Sequence, residues 1–402
     1  MRVLHVIPSL GSRTGGPAVA AVEFACALES QGIESAVFAT DMAYPAQTRR
    51  SVHVDAAELP PHADEVAVRL FPAQLPYRLA YSPALGRALR AEVAGYDAVH
   101  IHSLYLYPQF AAARAAARFR VPFVVSPHGA LDPWLRRRGR VQKTLAELVW
   151  QRRMLDRAAA LHFTSDEEAR LAGRVAPNVQ RAIVPLGIRS SEYAELPSPE
   201  TFRARYLGGT TAPLVLTLGR LAQKKGLDIL VRAFALLARE HRDARLVIAG
   251  PDDEGIQEGL AALAERDGVA DRVVFPGMLE GETKLAALAA ADVWALPSHT
   301  ENFGIAVMEA LAAGAPTVIS PAVNLAAAVE RADAGLVAVA EPKAFAAAIS
   351  SLLDDSERRA AYGRRAREFA RQYDWEALAP RIVQLYEGIA GRRTEAAVGA
   401  PA

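Results

Sequence analysis

The sequence predicts an α/β protein built from two doubly wound, parallel-sheet domains. Three observations predict it. A chain of 402 residues exceeds what one ordinary core organises and suits two domains of about 150 to 200 residues each. Short apolar runs that read as buried strands alternate with helical patterns in both halves. Several of these runs end in Gly, Pro or His, at the carboxyl ends where open parallel sheets hold their ligands.

Composition narrows the class. Hydrophobic residues make up 51% and charged residues 23%, with a net charge of +1, as in an ordinary soluble globular protein. That balance gives no reason to expect a nucleic-acid partner. The single cysteine, Cys26, excludes an intramolecular disulfide and suits a reducing compartment. The opening apolar run is too short for a secretory signal, and no run of 18 uncharged apolar residues could span a bilayer. The expected location is the cytoplasm. Charge is nevertheless uneven, with eleven Lys/Arg against three Asp/Glu over 114–157. Arg136, Arg137, Arg138, Arg140 and Lys143 precede an apolar-basic stretch with Trp134 and Trp150 nearby. The segment 136–153 therefore suits either an anionic membrane surface, at the inner face of the plasma membrane, or a solvated helix face.

In chain order, 2–7 reads as a strand ending at Pro8, followed by a loop with Gly15-Gly16 and a helix to Gly32. The spacing is neither G-x-G-x-x-G nor a Walker loop, but these glycines let backbone approach a ligand closely. A strand at 35–40 leads into a Pro-rich irregular passage to about residue 77, then a helix to Val93. Asp97–His102 is a strand whose His100 and His102 share one face at period two. A pair of histidines is the start of a zinc site only if further ligands join it, and no third ligand is evident from the sequence; His102 at the strand end is expected to line a cleft. Val121–Ser126 is a buried strand followed by Pro127-His128-Gly129, which makes His128 the best single candidate for chemistry. Asp132 is placed to orient that loop or meet an acceptor. Ala158–Thr164 is a strand, Ser165 caps a helix, and Ala182–Pro185 is the next strand. Pro and Gly cluster over 190–211, marking a domain boundary.

The second half repeats the alternation: strand 214–218, helix 226–239, strand 246–249, helix 256–266, strand 273–275, helix 282–291, strand 293–296 and a late strand at 336–338. Between its first strand and helix lies Gly219-Arg220-Leu221-Ala222-Gln223-Lys224-Lys225-Gly226. Arg220, through its forked guanidinium, and Lys225, as a point charge, could converge on a diphosphate. Gly250-Pro251 and Pro276-Gly277 end the next strands and should shape a base pocket through backbone contacts. The last helix spans 375–390.

One stretch organises the rest: WALPSHTENFGIAVMEALAAGAPTVIS, residues 294–320. The strand stops at Pro297-Ser298, the loop carries Asn302, Phe303 and Gly304, and a helix begins near Ile305 and closes at Gly314. A helix start offers unpaired N–H groups and a positive dipole end to an anion, while Glu301 and Glu309 flank it. Carboxylates beside an anion site make sense if the ligand also carries hydroxyl groups, as a sugar nucleotide does. On a continuous helix the two would stand about 12 Å apart, beyond the roughly 5 to 9.5 Å of a glycosidase pair. They would then serve two parts of one long ligand.

The pattern Glu301, seven residues, Glu309, with Phe303 and Gly304 inside it, resembles the donor-site signature of retaining GT-B glycosyltransferases of family 4. PHGALDPW around His128 resembles the family loop whose histidine touches the donor sugar, and G-R-L with a later K-G resembles its diphosphate clamp. Leu186 and Arg189 depart from the family pattern, which often has Asn and an acidic residue there, so no role is carried over to them. The resemblance implies two Rossmann-like domains facing across a cleft, residues 1–190 on the acceptor side and 191–374 on the nucleotide-sugar side, with the C-terminal helix crossing back to the first domain. It implies hexosyl transfer, with retention, from a nucleoside diphosphate sugar to a glycan or lipid-linked glycan acceptor. The implied catalytic residues are His128, Glu301, Arg220 and Lys225. The implied donor contacts are Gly15, Gly16, His102, Gly219, Arg220, Lys225, Gly250, Asn302, Phe303, Gly304, Ile305 and Glu309. No D-x-D triplet occurs, so neither an essential metal nor a cofactor is expected. A sugar-nucleotide epimerase of the same fold and a two-domain ligand-binding protein are the alternatives.

Overall fold

The structure, a computed structural model, describes residues 1–11, 14–42, 59–136 and 146–398. The chain divides into two compact units, one of Met1–Leu186 with Trp375–Ala402, the other of Gly187–Asp374. The division falls four residues before position 190, where Ile188 pairs in parallel with Asp374 and the Ser190 amide donates to the Asp374 carboxylate at 3.0 Å.

The first unit holds a parallel sheet of seven strands in the order β3-β2-β1-β4-β5-β6-β7. The strands are β1 (Arg2–Ser9), β2 (Glu34–Thr40), β3 (Ala67–Phe71), β4 (Ala98–His102), β5 (Phe123–Ser126), β6 (Ala160–Phe163) and β7 (Gln180–Ile183). Its helices are α1 (Gly16–Glu29), α2 (Pro83–Glu92), α3 (Tyr107–Arg118), α4 (Pro133–Arg136), α5 (Arg152–Asp156) and α6 (Asp166–Leu171). β1, β4, β5 and β6 are buried along almost their whole length, which is why they read as near-continuous apolar runs. β3 was expected to be irregular. It is an edge strand whose first four residues alternate between exposed and half-buried, with only Phe71 buried, too weak a pattern to stand out among prolines. Of the basic segment, 137–145 lies outside the described residues.

The second unit holds a parallel sheet of six strands in the order β10-β9-β8-β11-β12-β13. Its strands are β8 (Leu214–Leu218), β9 (Arg245–Ala249), β10 (Val273–Val274), β11 (Val293–Leu296), β12 (Thr317–Ile319) and β13 (Leu336–Val337). The helices are α7 (Pro199–Tyr206), α8 (Leu227–Leu237), α9 (Gln257–Arg266), α10 (Gly281–Ala290), α11 (Ile305–Ala313), α12 (Ala326–Arg331), α13 (Pro342–Leu353) and α14 (Ser356–Arg371). The boundary passage 190–211 contains α7, capped by Ser198 and tied by Arg203 to the carbonyl of Ala290 and to Asp292.

Both sheets reverse strand order beside their first strand, between β1 and β4 and between β8 and β11. Loops that follow adjacent strands at such a switch point diverge and leave a crevice at the carboxyl edge. The final helix α15 (Trp375–Val398) belongs to the first unit, where Trp375 sets its ring edge-on against Phe24 of α1 at 5.3 Å. That is the return to the first domain which the resemblance implied. Among the described residues no helix is long and apolar enough to cross a membrane.

Candidate active site

In the second unit the predicted residues gather at the switch point. The Gly219–Gly226 loop follows β8, and the Pro297–Gly304 loop follows the neighbouring strand β11. The loops are stitched together by the His299 amide, which donates to the Lys224 carbonyl at 2.8 Å. Their side chains meet as well. Lys225 forms a short ion pair with Glu301, and Lys224 lies 3.8 Å from the same carboxylate. Burial alone would raise the Glu301 pKa, but Lys224, Lys225 and, more weakly, Arg220 outweigh it and hold the group at about 2. Glu301 is thus a fixed carboxylate among three cations. Its own backbone is pinned by donation to Ala322 O and acceptance from Asn324 N, both at 3.0 Å.

Glycine geometry lets these loops come close. Gly250 has φ +150, and a Cβ there would stand 2.0 Å from the Gly219 carbonyl, so no side chain fits where the ends of β8 and β9 touch. Gly304, the N-cap of α11, has φ +81, and a Cβ would meet Val307 at 3.0 Å and Glu301 at 3.3 Å. The N-terminus of α11 therefore opens beside Glu301, with Ile305 as its first residue and Asn302 half-buried in the approach. Phe303 is 2% exposed and its ring lies 6.0 Å from that of Tyr373. Its side chain is core, so only its backbone is free for a ligand. Glu309, on α11, pairs with Lys284 of α10 at 2.9 Å. Burial disfavours the Lys284 ammonium, yet Glu309, with Glu192 and Glu280, raises its pKa. Lys284 and Lys224 were not singled out in the sequence.

In the first unit Gly15 is the N-cap of α1 with φ 74, and Gly16 is the first residue of that helix. His128 takes a left-handed φ of 50, a conformation a non-glycine residue holds only when its surroundings impose it. The imposing group is Glu168, 3% exposed. One of its oxygens accepts from the Gly129 amide at 2.7 Å, and the other accepts from the amide and hydroxyl of Thr164 at 2.8 Å each. Asp132 accepts from the Trp134 amide at 2.6 Å, capping α4, so it shapes the loop.

His102 corrects an expectation. It is fully buried and cannot line a cleft. Its Nδ1 lies 3.0 Å from His128 Nε2 and its Nε2 lies 3.0 Å from His5 Nδ1, so it stands behind His128. The absence of a third histidine is also corrected. His5 is the register partner of His100 across β1 and β4, and His5, His100 and His102 each offer an atom within 4.8 Å of the others. Both ring nitrogens of His100 and of His102 are already engaged by hydrogen-bond partners. A metal would have to displace them. Burial pushes His5 and His128 down to about 3 and His162 to about 4, and burial with neighbouring imidazoles pushes His100 and His102 well down. The cluster is a set of neutral, hydrogen-bonded rings at physiological pH. The signal that would have found it is polar residues interrupting apolar strands in two neighbouring rows: His5 beside His100 across β1 and β4, and His102 beside Ser126 across β4 and β5, with His162 on the next strand β6.

Two parallel sheets with the same switch-point topology, the second with glycine-lined loops, a cation cluster around Glu301 and the start of a helix at its carboxyl edge, are the architecture of a GT-B glycosyltransferase. The family profile "Glycosyl transferases group 1" matches residues 199–369, and "Glycosyl transferase 4-like domain" matches 15–187. A D-inositol 3-phosphate glycosyltransferase of Kineococcus radiotolerans is 32% identical over 92% of this chain and 90% of that protein. A phosphatidyl-myo-inositol mannosyltransferase of Mycolicibacterium smegmatis is 32% identical over 52% of each. The chain belongs to the group 1 glycosyl transferases, glycosyltransferase family 4. Among solved structures, the Anabaena protein HepE in complex with UDP-glucose aligns with a TM-score of 0.77 at 20% identity, covering 96% of this chain and all 100% of that one. A sucrose-phosphate synthase of Thermosynechococcus elongatus aligns at 0.75 and 22%, covering 98% of this chain and 100% of that chain.

Proposed function

We propose that this glycosyltransferase moves a hexosyl group from a nucleoside diphosphate sugar to an acceptor hydroxyl with retention of anomeric configuration and without an essential metal. The observation that carries the reading is the cation cluster of Arg220, Lys224 and Lys225 around Glu301 beside the N-terminus of α11. The bond from the anomeric carbon to the diphosphate oxygen breaks, the acceptor oxygen bonds on the same face, and its proton leaves with the nucleoside diphosphate. Negative charge grows on the diphosphate, where Arg220, Lys225 and the N–H groups at Gly304 and Ile305 stabilise it. These cations, with no D-x-D triplet in the chain, take the place of a divalent ion. Glu301 accepts from sugar hydroxyls and Glu309 from the ribose, each exchanging part of its lysine pairing for the ligand.

UDP-sugars are favoured as donors by the UDP and UDP-glucose complexes of the structural neighbour HepE. Several full-length relatives carry the name D-inositol 3-phosphate glycosyltransferase, which favours a phosphorylated polyol as acceptor over a lipid-linked glycan. The test is a reaction in EDTA with UDP-glucose, UDP-N-acetylglucosamine or GDP-mannose, each with and without D-inositol 3-phosphate, followed by NMR of the anomeric proton. An α-linked product that needs acceptor is expected. A β-linked product contradicts retention, conversion of the nucleotide sugar alone indicates the epimerase, and product only on adding Mg²⁺ or Mn²⁺ contradicts metal independence. A peripheral membrane role would show as binding of anionic vesicles that falls when Arg136, Arg137 and Arg138 are changed to Ala, and unchanged binding opposes it.

A further inference from the structure

Four buried histidines on β1, β4 and β6 and the half-buried His128 in the loop after β5 are linked in two hydrogen-bonded chains. In the first, His162 Nε2 faces the Val184 carbonyl at 2.7 Å. A carbonyl only accepts, so this nitrogen carries the proton and His162 Nδ1, on a neutral ring, must accept. Ser126 therefore donates its hydroxyl proton to His162 at 2.6 Å and accepts from His100 Nε2 at 2.5 Å. His100 Nδ1 is left to accept from the Tyr386 hydroxyl at 2.6 Å. One backbone carbonyl thus orients the whole chain.

The second chain, His5 to His102 to His128, has no carbonyl at its end. Each link needs one proton, and each neutral ring carries one. Only two arrangements satisfy both 3.0 Å links. Either all three rings are protonated on Nε2, or all three on Nδ1. They differ at the ends. The first leaves a buried N–H on His5 Nε2, which has no partner among the described residues, and makes His128 Nδ1 an acceptor. The second leaves only a bare lone pair at that buried position and gives His128 an Nδ1–H. The preference of a free imidazole for Nε2–H works for the first. Against it stands the cost of a desolvated donor with no acceptor, the rarest kind of unsatisfied group in folded proteins.

We propose that His5 acts as a positioning residue, fixing through His102 the Nδ1–H tautomer of His128, so that His128 meets its ligand as a hydrogen-bond donor. An N–H in that place recognises a hydroxyl or phosphate oxygen and rejects a ligand that offers only donors. The kinetic consequence rests on the proposed transfer reaction. The tautomer itself does not, so the two can fail separately.

The test is the ring-nitrogen NMR spectrum of ¹⁵N-histidine-labelled full-length protein, with the His128→Gln spectrum used for assignment. Native protein should show His128, His102 and His5 all as Nδ1–H, with and without EDTA. In His5→Leu the link to His102 is lost and His128 should shift to a mixture of tautomers. His5→Asn, whose amide N–H can stand near the lost Nδ1–H, should retain the native form. In parallel, kcat/KM should fall in His5→Leu by up to about tenfold, the scale of one hydrogen bond, and recover in His5→Asn. Native His128 protonated on Nε2, an unchanged His128 in folded His5→Leu, or a metal-shifted signal that EDTA removes would each overturn the proposal. If His5→Leu does not fold, the native and His5→Asn spectra still decide it.

Discussion

Lowering the pH from 7.5 to 5.5 should destabilise the first unit by about 4 kcal/mol or more. His5 and His128 titrate at about 3 and His162 at about 4 in the fold, against 6.5 for an ordinary histidine. Because the folded pKa of each base is lowered, the unfolded chain takes up protons that the folded one refuses. Stability is therefore full above pH 6.5, falls below it, and stops falling only near pH 3 to 4. One unit below the unfolded pKa, each such histidine costs about 1.4 kcal/mol, and the three together about 4 kcal/mol. His100 and His102 shift in the same direction and add to the loss. Set against the roughly 5 to 15 kcal/mol of a typical domain, this brings the first unit near its unfolding threshold. The measurement is hydrogen exchange by mass spectrometry at pH 7.5, 6.5 and 5.5, corrected for intrinsic rates, on peptides covering β1 and β4. Peptides covering β8 and β11 serve as the internal control. Glu301, lowered from 4.5 to about 2, supports the second unit above pH 4.5 and loses that support only as pH falls toward 2. Equal protection of β1 and β4 at pH 7.5 and 5.5 would refute the neutral, buried histidine cluster.

Three further outcomes follow from the geometry. Gly304→Ala places a Cβ at φ +81 within 3.0 Å of Val307, and should cost about 2 kcal/mol by urea unfolding while weakening nucleotide binding; an unchanged midpoint would mean the helix start relaxes freely. Glu168→Gln replaces one accepting oxygen of a buried group that holds Gly129 and Thr164 with a donor, and should cost about 2 to 3 kcal/mol; wild-type stability would show that this carboxylate does not impose the His128 backbone. Lys284→Met leaves the Glu309 carboxylate without its counter-ion at 2.9 Å. With both side chains still partly exposed, about 2 kcal/mol of stability should be lost, and a loss below 0.5 kcal/mol, the range of ordinary surface changes, would place the pair with weak surface contacts.

Much of the second unit was legible because its strands are apolar runs closed by Gly and Pro, and because Glu301, Gly304 and Glu309 lie close together in sequence on one strand-loop-helix passage. Arg220 and Lys225 were legible as cations between a strand and a helix. The meeting of Lys225 with Glu301, 76 positions away, needed the strand order that sets β8 beside β11. Lys284 and Glu168 could not be read, since an ordinary Lys or Glu on a helix has a solvated default and only packing reveals its partner. The histidine cluster was half legible. The two-residue period put His100 and His102 on one face, but only the register of β1 against β4 adds His5. β3 went unread because an edge strand with half-exposed residues loses the apolar pattern of the inner strands.

The most direct measurement of the central claim is calorimetric titration of UDP and UDP-glucose into native and Lys225→Ala protein, in EDTA and again with Mg²⁺. Metal-free binding that weakens about a hundredfold without the Lys225 ammonium, the scale of one lost charge-assisted donor, is the predicted result. Binding that requires Mg²⁺, or that is indifferent to Lys225→Ala, would contradict a diphosphate held by the protein's own cations.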